Sequence, residues 1–411
     1  MSHPARFFAA ASLLFGALLI ILTPPFQTPD EPAHLFRAWS ISEGRMFARG
    51  GAPIPRSIVD AAAAGLARPT FARTPLRAGD RIFVPVVADS WRQPLAYTAP
   101  SYTPLGYAAT APAVLLGRLL SLSPVVLVYL GRFANLIAST LILAATIRRA
   151  PFGRWALALF ALTPMVVFMR ATLAVDALTI ACAVALVVEI LRAEGASVVA
   201  LSFVMAAIKP GYALLPLVAF GVPRLRARRA VVALMMLATI AGTFAAYVWM
   251  QGAGGPGGIP LRLDALRSPV TYLARMAHEL AKVGGLLTVE LVADFGWLDA
   301  SAPLAFALVW LAALIGVAVF DGPASGFSRA WFVAGFLAAI VAVTTVFQVT
   351  APGPEFFKGL QGRYFLPYLP LALLPLCARR ASEHVKQRAV VALTALAVAQ
   401  SAWTLIQRFW L

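Results

Sequence analysis

Just after its first apolar run the chain reads Pro29-Asp30-Glu31-Pro32-Ala33-His34-Leu35-Phe36-Arg37. Adjacent carboxylates, an imidazole and a guanidinium at this spacing could do proton-transfer or metal chemistry. A carboxylate such as Asp30 or Glu31 can take the proton from an attacking hydroxyl. Asp30, Glu31 and His34 could instead hold a divalent ion, Mg or Mn, that orients or polarises an oxygen, and His34 and Arg37 could touch the substrate. Asp30 is a natural N-cap and Pro32 is tolerated in a first helical turn, so the spacing predicts a helix beginning here. Glu31 and His34 then share a face that Arg37 continues. A capped, solvated helix start accounts for the same residues, because Asp-Glu is a common dipeptide, and spacing alone leaves both readings open.

Further ionisable residues interrupt apolar sequence. Asp176 opens one apolar run, where it is either functional or an acid favoured by the helix dipole. Arg132 lies about two turns inside another run, Lys209 breaks a third at Lys209-Pro210-Gly211-Tyr212, and Arg363 sits in Gln361-Gly362-Arg363-Tyr364-Phe365-Leu366-Pro367, with Lys358 nearby. Such cations could clamp a lipid phosphate, an arginine bidentately, although anchoring to lipid head groups is the commoner role of a single interfacial cation. Set against apolar sequence, Arg132 and Lys209 favour the phosphate reading. His278 and Glu279 have no partner at metal spacing and suit a surface helix. The glycines from Gly252 to Gly258 lack the strand-then-helix context of a phosphate loop and read as a linker. Cys182 and Cys377 both fall in apolar stretches, which excludes a disulfide framework and a cysteine metal cluster.

The elements that must position these residues are membrane helices. Of 411 residues, 61% are hydrophobic and 12% charged, against about 25% charged in a soluble domain. Runs of spanning or near-spanning length fall at 7–23, 124–147, 155–169, 171–191, 230–250, 302–320, 330–347, 364–378 and 389–407. The stretch 196–222 reads as two short helices meeting at Lys209-Pro210-Gly211. Together they predict an all-α polytopic membrane protein, a single integral domain over 1–411 with about 11 transmembrane helices. Pro24-Pro25 follows the first run without a small-residue cleavage site, so that helix reads as uncleaved. The run 105–116 is short, carries Pro104 and Pro112 at its start and within it, and reads as an interfacial helix on the outer face.

A net charge of +17 without basic runs interleaved with aromatics excludes nucleic acid as the partner. Placing the N-terminus inside gathers 14 Lys and Arg in short cytoplasmic loops, as the positive-inside rule requires. Three segments then face outward: 24–123, 251–301 and 351–363. Large loops on one face of a polytopic protein are where chemistry or recognition is expected. There is no internal repeat of the kind inverted-repeat transporters show.

Pro29-Asp30-Glu31-Pro32-Ala33-His34, Lys209-Pro210-Gly211-Tyr212, Phe295-Gly296-Trp297-Leu298-Asp299 and Gln361-Gly362-Arg363-Tyr364-Phe365-Leu366-Pro367, in this order, resemble the bacterial membrane family known as domain of unknown function 2142. The resemblance runs from about 7 to 408. That family is similar to the type C (GT-C) glycosyltransferases, which include protein O-mannosyltransferases and lipid A aminoarabinose transferases. The resemblance implies a GT-C-like fold and an enzyme of the bacterial inner membrane that moves a sugar from a polyprenyl-phosphate donor to an envelope glycan, lipid or protein acceptor on the outer face. It implies that Asp30, with Glu31 beside it, is the catalytic base or metal ligand, and that Pro94 to Leu116 forms the juxtamembrane helix after the first outer loop. It also matches Arg132, Asp176 and Lys209 to family positions; His34 lies outside the general type C pattern. The expected division of labour is a donor-phosphate clamp of Arg132, Lys209 and Arg363, with His34, Arg37, Asp176 and Tyr364 lining the substrate. The alternatives are a transporter or flippase of lipid-linked sugars, which would carry its ionisable residues near mid-membrane, and a non-enzymatic assembly protein for envelope polysaccharide.

Overall fold

The computed structural model describes residues 4–47, 52–67, 80, 83, 92–95, 102–252, 267–350 and 359–411. Helix α1 (Pro4–Leu22) leads into a segment that contains α2 (Glu31–Ser42), β1 (Ala52–Pro55), α3 (Arg56–Leu66), β2 (Arg92–Leu95) and α4 (Thr110–Leu119). Then come α5 (Pro124–Arg149), α6 (Arg154–Ala161), α7 (Pro164–Arg170), α8 (Asp176–Arg192) and α9 (Gly195–Ile208). After two 3-10 stretches, α10 (Pro223–Arg226) and α11 (Arg229–Gly252) follow, and beyond them α12 (Pro269–Val292), β3 (Asp294–Phe295) and β4 (Ala300–Ser301). The last helices are α13 (Leu304–Val319), α14 (Arg329–Thr350), α15 (Leu369–Leu373) and α16 (Glu383–Phe409).

Among the described residues, α1, α5, α11, α14 and α16 are long and apolar enough to cross a membrane, with α4, α9, α13 and 210–221 as shorter apolar segments. Local chemistry sets their ends. Pro124 opens α5, where its missing N–H costs nothing. Ser382 caps α16 by accepting from the Val385 N–H at 3.4 Å. Arg148 and Arg149 end α5 and Arg192 ends α8, each favoured by the negative end of the helix dipole. Prolines break what the apolar runs left continuous: Pro164 divides 155–169 into α6 and α7, and Pro367, Pro370 and Pro375 turn 364–378 into short 3-10 and α pieces.

Contacts sort the helix ends onto two faces of the bundle. At one, Trp410 Nε1 donates to the Leu22 carbonyl at 2.9 Å, Trp297 Nε1 to the Phe26 carbonyl at 3.1 Å, and Lys209 pairs with Asp176. At the other, Arg149 pairs with Glu189, Arg228 donates to the Ala193 carbonyl and Lys386 pairs with Asp321. One buried cluster, including Phe15, Trp155, Phe168, Leu186 and Phe295, runs through the bundle. A second, including Phe26, Trp39, Ile58, Tyr107 and Leu173, seats α2, α3 and α4 on α5 and α8.

One sequence expectation is corrected here. Pro94 to Leu116 is not one helix: Pro94 lies in β2, paired antiparallel with β1, and among the described residues a 3-10 turn at Pro104–Tyr107 and the 10-residue α4 follow. At 1.5 Å per residue α4 is roughly 15 Å long, too short to cross a bilayer. Within 251–301 the described residues include the 24-residue α12, which carries the surface helix expected around His278 and Glu279. Tyr272 near one end of α12 donates to Thr345 of α14 at 3.0 Å, and Glu290 near the other accepts from the Gly362 N–H at 2.6 Å. Both ends therefore reach the same face of the bundle as Lys209 and Asp176. Lys358 and the linker glycines from Gly254 to Gly258 lie outside the described residues.

Candidate functional site

The Asp-Glu pair splits into two roles. Glu31, in the first turn of α2, is fully buried and forms a two-pronged ion pair with Arg132 of α5, both N–H···O distances being 2.7 Å. It also accepts from the Phe26 N–H at 2.7 Å. The remaining Arg132 donors go to the carbonyls of Ile20, Thr23 and Pro24 at 3.3, 2.6 and 3.0 Å. All five guanidinium N–H groups are thus spent, and the pair fastens the end of α1 to α5 and α2. This corrects the expectation for Glu31 as base and Arg132 as phosphate clamp: neither presents a free atom to a ligand. Arg37 is corrected in the same way, since its buried guanidinium donates to the carbonyls of Met46 at 2.6 Å, Arg45 at 3.4 Å and Tyr102 at 3.5 Å and lies over the Trp249 ring.

Asp30, one residue away, is exposed and holds a left-handed backbone at φ 56°, a conformation that aspartate tolerates better than most residues. It occupies the N-cap position of α2 without capping it, and among the described residues its carboxylate forms no hydrogen bond or ion pair. It is electrostatically coupled to Tyr102 and Arg363. The expected metal set of Asp30, Glu31 and His34 is not assembled: among the described residues no three His, Cys, Asp or Glu side chains gather to hold an ion, and both Glu31 oxygens are engaged.

Opposite Asp30 stands a cationic cluster. Lys209, freed from helix geometry at the end of α9 by Pro210, reaches Asp176 at the start of α8 with Nζ 2.8 Å from Oδ1. Its ammonium lies 5.8, 5.9 and 5.5 Å from the ring centres of Tyr102, Tyr212 and Tyr364, within cation–π range. Arg363 is buried, with Nε on the Gln361 side chain at 2.6 Å and one terminal nitrogen 3.4 Å from the Met169 sulfur, a weak acceptor. No carboxylate pairs with it among the described residues. Its backbone is held by Glu290 through the Gly362 N–H, and glycine is required there because a Cβ would strike the Leu287 carbonyl.

His34 closes the cluster from the α2 side. Its Nδ1 is hydrogen-bonded to the Tyr107 hydroxyl at 2.8 Å and its ring stacks on Tyr102 at 6.0 Å. Burial pushes its pKa down to about 4, against the pull of the Asp176 carboxylate and with the help of the Lys209 and Arg363 charges. The imidazole is therefore neutral near pH 7 and lacks the positive charge to bind phosphate. Five regions converge: Asp30 and His34 from α2, Asp176 from α8, Lys209 and Tyr212 from the break after α9, Arg363 and Tyr364 from the 3-10 stretch, and Tyr102 from the stretch before α4.

Sequence reasoning passed over Tyr102, Tyr107 and Tyr212 as contributors and gave Glu290 no role; only Tyr212 was signalled, by its place in the Lys209 motif. It also passed over Arg170, which is fully buried at mid-bundle. Arg170 donates to Ser12 at 2.7 Å, Ser139 at 3.0 Å, Thr140 and the Ala161 carbonyl at 3.1 Å. Ionisable residues are therefore not confined to the helix ends, but this one is consumed in tying α1, α5, α6 and α7 together.

The profile of a family described as predicted membrane protein (DUF2142) matches residues 13–372. No curated protein and no solved structure matches the chain.

Proposed function

Starting from the premise that this chain belongs to that family of predicted membrane proteins, we propose that it is a GT-C-type membrane glycosyltransferase that uses a polyprenyl-phosphate sugar. The observation that carries the reading is that an exposed carboxylate, Asp30, which has no hydrogen bond or ion pair among the described residues, lies within electrostatic reach of Arg363, at the end of an apolar helix bundle where Lys209 also stands. A phosphate-bearing lipid needs cations at the bilayer surface, and an acceptor hydroxyl needs a base close to them.

In this reading the donor phosphate lies between Lys209 and Arg363, with the Tyr212 and Tyr364 rings beside it. The acceptor oxygen attacks the anomeric carbon from the face opposite the phosphate, and Asp30 takes the hydroxyl proton. The bond from the anomeric carbon to the phosphate oxygen breaks, its electrons stay on the phosphate, and the two cations stabilise that charge. Asp176 holds Lys209 in place until the phosphate arrives. Glu31 and Arg132 act as the frame that sets Asp30 at the start of α2. Attack from the opposite face inverts the anomeric configuration.

Counting each proline-broken stretch as one crossing supports 11 passes, with the arginine-rich end in the cytoplasm and the Asp30 end outside the inner membrane. The acceptor is an envelope glycan, lipid or protein. The test is a comparison of envelope polysaccharide and lipid-linked intermediates in a deletion strain complemented with wild type or Asp30→Asn. Wild type should restore the glycan and the variant should leave the lipid-linked donor accumulated. Full restoration by Asp30→Asn would refute the proposal.

A further inference from the structure

The opposite end of the bundle holds two cavities that the proposed reaction does not use. The larger, about 780 Å³, has Arg6, Arg154, Arg380, His384 and Lys386 in its lining. Its acids are already committed. Asp321 accepts from the N–H groups of Trp155 and Ala156 at 2.6 and 3.0 Å and from Lys386 at 3.0 Å. Glu383 accepts from Trp155 Nε1 at 2.7 Å and pairs with Lys386 at 2.6 Å. Arg6, Arg380 and His384 are exposed, and among the described residues their side chains form no hydrogen bond or ion pair. The cavity is left with uncompensated positive charge.

The second cavity, about 410 Å³, shares Arg6 with the first and is lined by Ala5, Ala9, Ala144, Ala145 and Arg148. Ala5 and Ala9 stand four apart on α1, and Ala144 and Arg148 four apart on α5, so each set shares a helix face. Toward mid-bundle the same two helices close: Ser12 and Thr140 are hydrogen-bonded at 3.0 Å, and Leu136 fills the space beside Gly16. The result is a slot walled by methyl groups, open at the bundle's end, with two guanidinium groups at its mouth.

From this pairing of charge and apolar slot we infer that the arginine-rich end binds an anionic phospholipid of the adjoining leaflet. The phosphate lies between Arg6 and Arg148, the rest of the head group enters the larger cavity toward Arg380 and His384, and one acyl chain follows the alanine slot. A soluble phosphate compound would satisfy the cations and leave the slot empty, which is why a lipid is the better occupant. The inference does not depend on the proposed reaction.

Native mass spectrometry of the full-length protein in detergent tests it, with phosphatidylglycerol and phosphatidylcholine of identical chains added in turn. The wild type should retain phosphatidylglycerol at roughly thirtyfold lower concentration, the preference expected of two interfacial arginines. Arg6→Gln/Arg148→Gln should abolish that preference while melting like wild type in phosphatidylcholine. Ala145→Leu, which fills the slot, should weaken both lipids. Equal retention of the two lipids by wild type, an unchanged preference in the double variant, unchanged lipid adducts in Ala145→Leu, or displacement of the lipid by millimolar inorganic phosphate would each overturn the inference. If the double variant does not fold, the wild-type comparison of the two lipids decides alone.

Discussion

The substitution Glu31→Gln keeps the shape of a side chain and removes its charge from a fully buried ion pair. Arg132 would then lie uncompensated among apolar neighbours, with an amide NH2 facing its donors and the Phe26 N–H short of an acceptor. Breaking a buried pair from one side costs about 3–5 kcal/mol. At tenfold per 1.4 kcal/mol, the folding equilibrium falls roughly a hundred- to several-thousandfold. Arg132→Met should be at least as damaging, because it also strips the donors from the Ile20, Thr23 and Pro24 carbonyls. The double variant removes the stranded charge, so its loss should be smaller than the sum of the two by about 2 kcal/mol. Unfolding of the solubilised protein, followed by fluorescence-detected size exclusion, measures all four forms. A Glu31→Gln protein that unfolds like wild type and yet is inactive would refute this reasoning and return Glu31 to the chemistry.

Lys209→Met should raise the KM for the lipid-linked donor about thirtyfold or more, the low end of what losing one partner of a buried charge pair costs; an unchanged KM in a donor titration would remove Lys209 from the clamp. Because the folded His34 holds off its proton until about pH 4 while the unfolded residue takes it near 6.5, the unfolded state binds more protons in that window and stability falls as pH falls. The loss is about 3 kcal/mol in full, and melting curves should lose that part of the slope in His34→Gln relative to wild type. Gly362→Ala drives a methyl into the Leu287 carbonyl and should cost about 1–3 kcal/mol of stability. Arg363 should move with it, so donor KM should rise in whatever folded protein remains, whereas a shift in melting without any change in KM would contradict the positioning role.

The membrane architecture was legible because apolar length and charge bias act locally along the chain. Runs at 124–147, 302–320 and 330–347 became α5, α13 and α14 with ends moved by a few residues. The motif residues Asp30, Asp176, Lys209, Arg363 and Tyr364 do converge, and four of these five interrupt or flank apolar sequence, which is the signal that singled them out. What spacing could not carry was partnership. Glu31 and Arg132 are 101 positions apart, and nothing local tells a carboxylate that meets an arginine from one that faces a substrate. Adjacent residues were taken as a unit, yet Asp30 is exposed while Glu31 is buried on Arg132. Strand β2 was hidden because Pro94 belongs to a two-stranded ribbon whose proline positions need not donate. Of helix α12 only the surface stretch around His278 and Glu279 was legible, because its exposed polar residues broke the apolar run that reveals a buried helix.

The central claim is that Asp30 takes the acceptor proton beside a phosphate held by Lys209 and Arg363. The most direct measurement is sugar transfer by purified protein in proteoliposomes, supplied with a radiolabelled polyprenyl-phosphate sugar fraction from the source membranes and their glycan acceptors. Asp30→Asn should melt and bind donor like wild type but transfer at least about a hundredfold more slowly, the usual contribution of a positioned base. A well-folded Asp30→Asn that transfers at the wild-type rate would contradict the account.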